Sequence, residues 1–112
     1  MEIYHNPRCA KSRQTLELLQ NKGIDPDIRL YLNDPPSIKE LSSIIKKLGL
    51  KPLELIRKNE KIYKEQFKGQ DLSDREWIKV MVEHPKLIER PIVISGDTAR
   101  IGRPPESILE II

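Results

Sequence analysis

The single cysteine of this chain, Cys9, is the residue whose type and position could do chemistry. It stands in a polar and basic run, His5-Asn6-Pro7-Arg8-Cys9-Ala10-Lys11-Ser12-Arg13. A cysteine that opens a helix faces backbone N–H groups and the positive end of the helix dipole, and both favour the thiolate. Three lysine or arginine residues within four positions of it act in the same direction. The run therefore predicts a reactive thiol, with a small buried apolar cysteine as the alternative.

Two polar neighbours could support that thiolate. His5 is the only neutral titratable base near Cys9 in the sequence, and Ser12 could direct its hydroxyl back at the sulfur. A plainer role is open to each, His5 as a half-buried strand residue and Ser12 as a serine that bonds backbone N–H groups. Two distant histidines and one cysteine have no ligand spacing, so no metal site is predicted.

Size and composition predict a single globular domain. A chain of 112 residues can build one core, and one cysteine cannot form an internal disulfide. No apolar run approaches the ~20 residues of a membrane span, and the first residues lack the pattern of a signal peptide. We therefore expect a protein of the reducing cytoplasm with no membrane segment.

The charge balance argues against nucleic-acid binding. Lysine and arginine total 20 against 17 acidic residues, and the net charge of +3 is too small and too dispersed for a nucleic-acid surface. With one tryptophan, one phenylalanine and three tyrosines, the chain has few rings on which bases could stack. A small anionic substrate fits this balance, and so does an ordinary solvated charged face.

The elements that would position Cys9 are predicted as strand, helix and strand. Residues 2–5 are a short strand candidate that ends at the turn-forming pair Asn6-Pro7. A helix is predicted from about residue 9 to residue 22, with Gly23 as its stop. Residues 28–32 alternate well enough for a second strand. A β-α-β unit of about 30 residues follows.

A helical insert is predicted at about residues 37–84. Two capping boxes begin its main helices, Ser37-Ile38-Lys39-Glu40 and Ser73-Asp74-Arg75-Glu76, and apolar residues follow each at helical spacing. Between them, Pro52 suits the first turn of a short helix that would run through Arg57.

The end of the chain is predicted as a β-hairpin and a closing helix. Beyond Arg90-Pro91, residues 92–94 and 98–102 flank a tight turn at Ser95-Gly96-Asp97. Pro104-Pro105-Glu106 then opens the last helix. The chain as a whole is predicted as β-α-β, a helical insert and β-β-α, which is an α/β class.

This order of elements resembles the thioredoxin fold, and the motifs resemble one family of it. The motifs are His5-Asn6-Pro7-Arg8-Cys9, Leu55-Ile56-Arg57-Lys58-Asn59, His84-Pro85, Glu89-Arg90-Pro91-Ile92-Val93 and Gly102-Arg103-Pro104-Pro105-Glu106. Over essentially the full chain they are similar to those of the glutaredoxin-linked arsenate reductases, above all the short, arsenate reductase-like members. The resemblance implies a single thioredoxin-like domain over residues 1–112, with a four-stranded mixed sheet and the helical insert between the second and third strands.

The resemblance also implies roles for individual residues. Cys9 matches the family's nucleophile, and three residues match its oxyanion-binding arginines, Arg57, Arg90 and Arg103. His5 and Ser12 match residues that help to hold the thiolate. Pro91 matches the cis-proline that faces the catalytic thiol.

The implied activity is reduction of arsenate to arsenite in arsenical resistance, by a cytoplasmic monomer that binds no cofactor, no metal and no nucleic acid. Glutathione would be the co-substrate and glutaredoxin the partner. Arginine suits such a substrate because its guanidinium stays charged and donates in a planar, bidentate geometry. With no second cysteine in the chain, the resolving thiol must come from another molecule.

From the residues alone, each arginine also has a plainer interpretation. Arg57 could be a solvated or salt-bridged residue of the predicted helix. Arg103 precedes a helix start, where its charge opposes the dipole unless an anion is bound. Arg90 precedes a proline, and most such bonds are trans.

Other functions compete with arsenate reduction. A phosphatase-like oxyanion loop needs an arginine six positions after the cysteine, and this chain has Thr15 there. Cluster-binding monothiol glutaredoxins share the serine three positions after the cysteine, but Ala10-Lys11 is unlike their sequence. A glutathione-dependent thiol oxidoreductase with another substrate stays open. So does a regulator of the same fold that binds RNA polymerase, although Ser12 rules out a C-x-x-C switch.

Overall fold

The computed structural model describes all 112 residues, which form four strands and three α-helices joined by shorter helical turns. In chain order these are β1 (Glu2–Tyr4), α1 (Ala10–Asn21), β2 (Asp27–Arg29), α2 (Ile38–Leu48), α3 (Asp74–Glu83), β3 (Ile92–Ser95) and β4 (Thr98–Ile101). None of the helices combines the length and the apolar composition that crossing a bilayer requires.

The four strands form one mixed sheet in the order β2-β1-β3-β4. β1 pairs in parallel with β2, with Ile3 opposite Ile28, and antiparallel with β3, with Ile3 opposite Val93. β3 and β4 form the antiparallel hairpin expected around Gly96. The sheet confirms the predicted thioredoxin-like α/β class, in which a helical segment separates the second strand from the third.

The chain divides into two compact units, Met1–Asp34 with Arg90–Ile112, and Pro35–Glu89. The first unit contains the whole sheet and α1. Its core consists of fully buried apolar residues from β1, α1, β3 and the last helical turn: Ile3, Leu19, Val93 and Ile108. The expectation of a single domain over residues 1–112 stays a prediction.

The second unit contains α2 and α3, and both helices begin as their sequences predict. Ser37 and Ser73 are the N-cap residues, each with a complete capping box. α2 ends before Gly49, which takes the left-handed conformation (φ 70°) that glycine adopts without a steric penalty. The apolar faces of both helices are buried, with Leu41 and Met81 fully so.

The segment after Pro52 differs from its prediction. A 3-10 helix covers only Pro52–Leu55, and Arg57 lies beyond it on extended backbone. The cause is a pairing with a distant segment: Ile56 forms an antiparallel bridge with Ile88. Hydrogen bonds flank that bridge on both sides, from the Arg57 N–H to the Leu87 carbonyl (2.7 Å) and from the Glu89 N–H to the Leu55 carbonyl (2.9 Å).

Two other predicted elements change in extent or type. The second strand covers Asp27–Arg29 instead of residues 28–32, because the chain then turns and the Leu30 carbonyl accepts the N–H groups of both Asn33 and Asp34. The closing helix is a 3-10 helix, Pro105–Ile111.

Candidate active site

A tight turn delivers Cys9 to the start of α1. The Cys9 N–H donates to the Asn6 carbonyl (3.0 Å), and the Arg8 N–H donates to Asn6 Oδ1 (3.0 Å). Pro7 occupies the second position of this turn, where its fixed φ is favoured. Cys9 is the N-cap residue of α1, with extended backbone (φ −94°, ψ 122°). The turn therefore places the sulfur at the positive end of the helix.

The environment of Cys9 shifts the pKa of its thiol downward. Burial alone raises the pKa, because it disfavours the charged form. The Ser12 N–H, the Arg90 guanidinium and the Lys11 N–H together outweigh burial, and they hold the pKa of Cys9 below its ordinary value. The backbone N–H groups of Ser12 and Lys11 act on the sulfur, although Cys9 Sγ does not accept a capping hydrogen bond of the kind that a serine N-cap makes. The arrangement favours a thiolate in a residue that is only 9% exposed.

Arg103 contacts the sulfur directly. Its Nη2 lies 3.3 Å from Cys9 Sγ and donates to it, while its Nε donates to the Arg90 carbonyl at 2.7 Å. One guanidinium thus binds the thiol and the backbone of the other nearby arginine at the same time. The peptide bonds Arg90-Pro91 and Arg103-Pro104 are both cis.

The β3–β4 hairpin brings Arg90 and Arg103 to the same edge of the sheet. Arg90 precedes β3 and Arg103 follows β4, and in the antiparallel register the first residue of β3 lies opposite the last residue of β4. The Gly102 N–H closes this end by donating to the Pro91 carbonyl at 2.9 Å. Two arginines at the ends of one hairpin, both distant from Cys9 in sequence, therefore reach its sulfur.

Gly102 lies where a side chain cannot fit. A Cβ atom there would overlap Thr15 Oγ1 and would meet Pro91 Cγ at 2.9 Å, well inside van der Waals contact. Thr15 is fully buried on α1, and its hydroxyl donates to the Lys11 carbonyl at 2.8 Å. Close approach between α1 and the end of β4 therefore depends on glycine at position 102.

His5 and Ser12 are bonded to each other beneath this turn. His5 Nδ1 and Ser12 Oγ are 2.6 Å apart, and Ser12 Oγ also accepts the Asn6 N–H at 3.0 Å. Burial, followed by the positive charge of Arg13, lowers the pKa of His5, so the imidazole is held neutral. The Ser12 hydroxyl thus bonds a backbone N–H group, as the plainer of its two predicted roles requires. The backbone N–H of Ser12, and not its hydroxyl, acts on the thiol.

Arg57 belongs to the second unit, where carboxylates surround its guanidinium. Its Nη1 lies 2.6 Å from Glu89 Oε1, and its Nε lies 3.4 Å from Glu60 Oε1. The structure thus displays Arg57 as an ion-paired residue, and its oxyanion-binding role stays a prediction. Of the predicted residues, the structure brings Arg90 and Arg103 onto Cys9 and joins His5 to Ser12.

Sequence reasoning assigned no site role to Asn6, Thr15 or Gly102. The pair Asn6-Pro7 did signal a turn, but nothing in it showed that the Asn6 side chain would bond Arg8. Thr15 and Gly102 are 87 positions apart, and no local pattern connects them. No group of three or more histidine, cysteine, aspartate or glutamate side chains could hold a metal ion.

Chemically, the site offers a nucleophile and donors for an anion. N–H groups at a helix N-terminus favour the thiolate form of the sulfur, and the same position favours bound anions. Guanidinium groups with parallel N–H donors suit tetrahedral oxyanions as well as thiolates. The site is therefore suited to thiolate attack on an anionic substrate.

Comparisons with known proteins agree with this chemistry. A model of the ArsC family matches residues 4–111. An arsenate reductase of Haemophilus influenzae is 54% identical over 112 residues, which cover 98% of this chain and 97% of that protein. An Escherichia coli arsenate reductase is 43% identical over 111 residues, 98% of this chain and 79% of that protein. The solved structure of an arsenate reductase from Vibrio cholerae superposes with a TM-score of 0.96 at 50% identity, covering 99% and 96% of the two chains.

Proposed function

Because this chain belongs to the ArsC family, we propose that it reduces arsenate to arsenite through Cys9, with electrons supplied by glutathione and glutaredoxin. The observation that carries the proposal is the environment of Cys9. The pKa of its thiol is lowered, and Arg103 Nη2 donates to its Sγ at 3.3 Å. The likeness of almost the whole chain to an arsenate reductase of Haemophilus influenzae supports arsenate as the substrate. The family resemblance of the motifs supports the glutathione and glutaredoxin steps.

The first step is attack of the Cys9 thiolate on arsenic. Arsenate is a tetrahedral anion at neutral pH, so a thiolate that approaches it meets charge repulsion. Arg103 and Arg90, both beside the sulfur, would offset this repulsion and hold the arsenate oxygens. One oxygen leaves as water, and a Cys9 sulfur–arsenic bond forms without a change of oxidation state.

The reducing steps need thiols from outside the chain. A glutathione thiol captures the Cys9–arsenic adduct and displaces a second oxygen as water. Glutaredoxin then attacks the glutathione sulfur, the arsenic gains two electrons, and arsenite is released on hydrolysis while a mixed disulfide of glutaredoxin and glutathione forms. Cys9 returns as a thiol, so this chain needs no second cysteine and no bound cofactor.

The other predicted residues have supporting roles in this proposal. Arg57 would be the third oxyanion-binding arginine, a role that requires its guanidinium to exchange Glu89 or Glu60 for an arsenate oxygen. His5 and Ser12 would hold the segment that carries the thiolate, through their 2.6 Å contact. Pro91 would face the thiol as the cis-proline.

A coupled assay tests the proposal. Arsenate-dependent oxidation of a nicotinamide cofactor is followed with glutathione, glutaredoxin and glutathione reductase present. We expect a rate for the wild-type chain and none for Cys9→Ser, because a serine hydroxyl is not ionised near neutral pH. Omission of arsenate and omission of glutaredoxin are the controls.

The absence of a wild-type rate would contradict arsenate reduction. In that case a glutathionylated peptide offered to the same coupled system separates the alternatives. Its turnover would assign the chain to the thiol oxidoreductases. If the peptide is not turned over either, binding to RNA polymerase is the remaining function to measure.

A further inference from the structure

The segment between β1 and α1 has four backbone N–H groups, and three of them take part in hydrogen bonds that involve Asn6. The fourth, that of His5, donates to the Arg29 carbonyl at 2.9 Å. Pro7 has no N–H. The N–H of Asn6 donates to Ser12 Oγ, that of Arg8 to Asn6 Oδ1, and that of Cys9 to the Asn6 carbonyl, each at 3.0 Å. Asn6, itself only 8% exposed, therefore accepts the two N–H groups that lead into α1 and donates its own N–H to that helix.

These bonds fix how the chain enters the helix. Because the Cys9 N–H is bonded within the turn, the sulfur faces the next N–H groups of α1, those of Lys11 and Ser12. The Asn6 N–H also ties the end of β1 to the first turn of α1 through the Ser12 hydroxyl. Two side-chain oxygens take part in this arrangement, Ser12 Oγ and Asn6 Oδ1, and Asn6 Oδ1 is the one that bonds within the turn itself.

We propose that Asn6 is a positioning residue for the Cys9 thiolate, with its Oδ1 holding the turn that aims the sulfur at the N–H groups of α1. Alanine at position 6 offers no acceptor for the Arg8 N–H, so the turn relaxes. Serine makes the same kind of turn more weakly. The inference deepens the proposed use of Cys9, but its test needs no arsenate.

The test measures the rate of Cys9 alkylation by iodoacetamide against pH in the full chain. For Asn6→Ala we expect the pKa of Cys9 to rise by about one unit, which means ~10-fold less thiolate well below the pKa. The rate at high pH, where the thiol is fully ionised, should equal that of the wild type. Asn6→Ser should fall between the two proteins. Asn33→Ala, which changes an exposed turn asparagine, is the matched control and should match the wild type.

A wild-type pKa in a folded Asn6→Ala protein would overturn the proposal. A purely structural role predicts a different result, a higher alkylation rate at every pH as the sulfur becomes more accessible. If Asn6→Ala does not fold, Asn6→Ser decides: a raised pKa supports the proposal, and a wild-type pKa overturns it. The thiol titrates whether or not arsenate is the substrate. The pKa measurement therefore tests the role of Asn6 even if the arsenate assay shows no activity.

Discussion

The helices α1, α2 and α3 all begin at an N-cap residue with extended backbone, but they differ in what caps them. In α2 and α3 a serine hydroxyl accepts the N–H three positions ahead, at 3.1 Å from Glu40 and 3.2 Å from Glu76. In each, the glutamate accepts the serine N–H in return, at 3.0 Å. In α1 the residue in the serine position is Cys9, and the N–H three positions ahead belongs to Ser12.

The difference shows how one local geometry serves two purposes. A serine cap satisfies helix N–H groups and stabilises the helix. When a cysteine sulfur stands in the same place, the helix N–H groups point at a group that can ionise. They stabilise the thiolate and so lower the pKa of the thiol. A glutamate in place of Ser12 would put a negative charge beside the thiolate, and α1 has no acidic residue in its first turn.

Removing Arg103 should have the largest effect on the α1 side of this comparison. A hydrogen bond to a charged group contributes about 1.5–3 kcal/mol, so Arg103→Ala should lower kcat/KM for arsenate by about 10- to 150-fold. The pKa of Cys9 should rise as well, since Nη2 no longer donates to the sulfur. Coupled kinetics and a thiolate absorbance titration measure the two effects.

Two further variants sharpen the Arg103 result. Arg103→Lys keeps the charge but cannot bind the sulfur and the Arg90 carbonyl with one planar fork, so it should recover the pKa of Cys9 better than the rate. Arg100→Ala is the matched control, because Arg100 pairs with Glu110 on the surface at 3.0 Å. An Arg103→Ala protein with wild-type kinetics would remove Arg103 from the site.

Gly102→Ala tests the packing that keeps α1 and Arg103 together, with a smaller effect. The added methyl group would overlap Thr15 Oγ1, and overpacking of this kind costs about 1–3 kcal/mol of the free energy of unfolding. Urea unfolding measures the loss. The double variant Thr15→Ala/Gly102→Ala should be more stable than the sum of the single changes predicts, because the Thr15 atoms that the new methyl group would overlap are gone and only Pro91 Cγ remains close.

Gly96→Ala is the control for Gly102→Ala. Gly96 has a positive φ of 59°, and a Cβ atom added there would have no neighbouring atom within 4 Å, so its substitution strains the backbone without any overlap. Thr15→Ala should therefore leave the cost of Gly96→Ala unchanged. Equal coupling of Thr15 to both glycines would contradict the steric explanation.

Local signals predicted the parts of the fold that depend on neighbouring residues. The capping box of Ser37 and Glu40 and the stop at Gly49 gave α2 its bounds, because caps and positive φ are properties of a few adjacent residues. Arg57 was misplaced on a helix because a distant segment, through Ile88, pairs with the backbone there. Such pairing overrides local propensity and leaves no local pattern.

The site was predictable in part for the same reason. The position of Cys9 at a helix start follows from its neighbours in sequence. The contact of Arg103 with Cys9 joins residues 94 positions apart, and only the family resemblance of the motifs, not their spacing, indicated it. The Asn6 bonds were not predicted, since the turn signal of Asn6-Pro7 does not specify which atom accepts each N–H.

Ser37→Ala should have the smallest effect and should act on stability alone. Loss of an N-cap hydroxyl costs about 1 kcal/mol of the free energy of unfolding, and urea unfolding should detect it as a lower midpoint with an unchanged slope. The pKa of Cys9 should stay at its wild-type value, because the Ser37 hydroxyl acts within α2, where it accepts the Glu40 N–H. Ser37→Thr, which keeps a capping hydroxyl, should recover most of the lost stability. A shifted pKa of Cys9 in Ser37→Ala would contradict this expectation. It would mean that the serine cap of α2 also affects the thiol, and not only the stability of the protein.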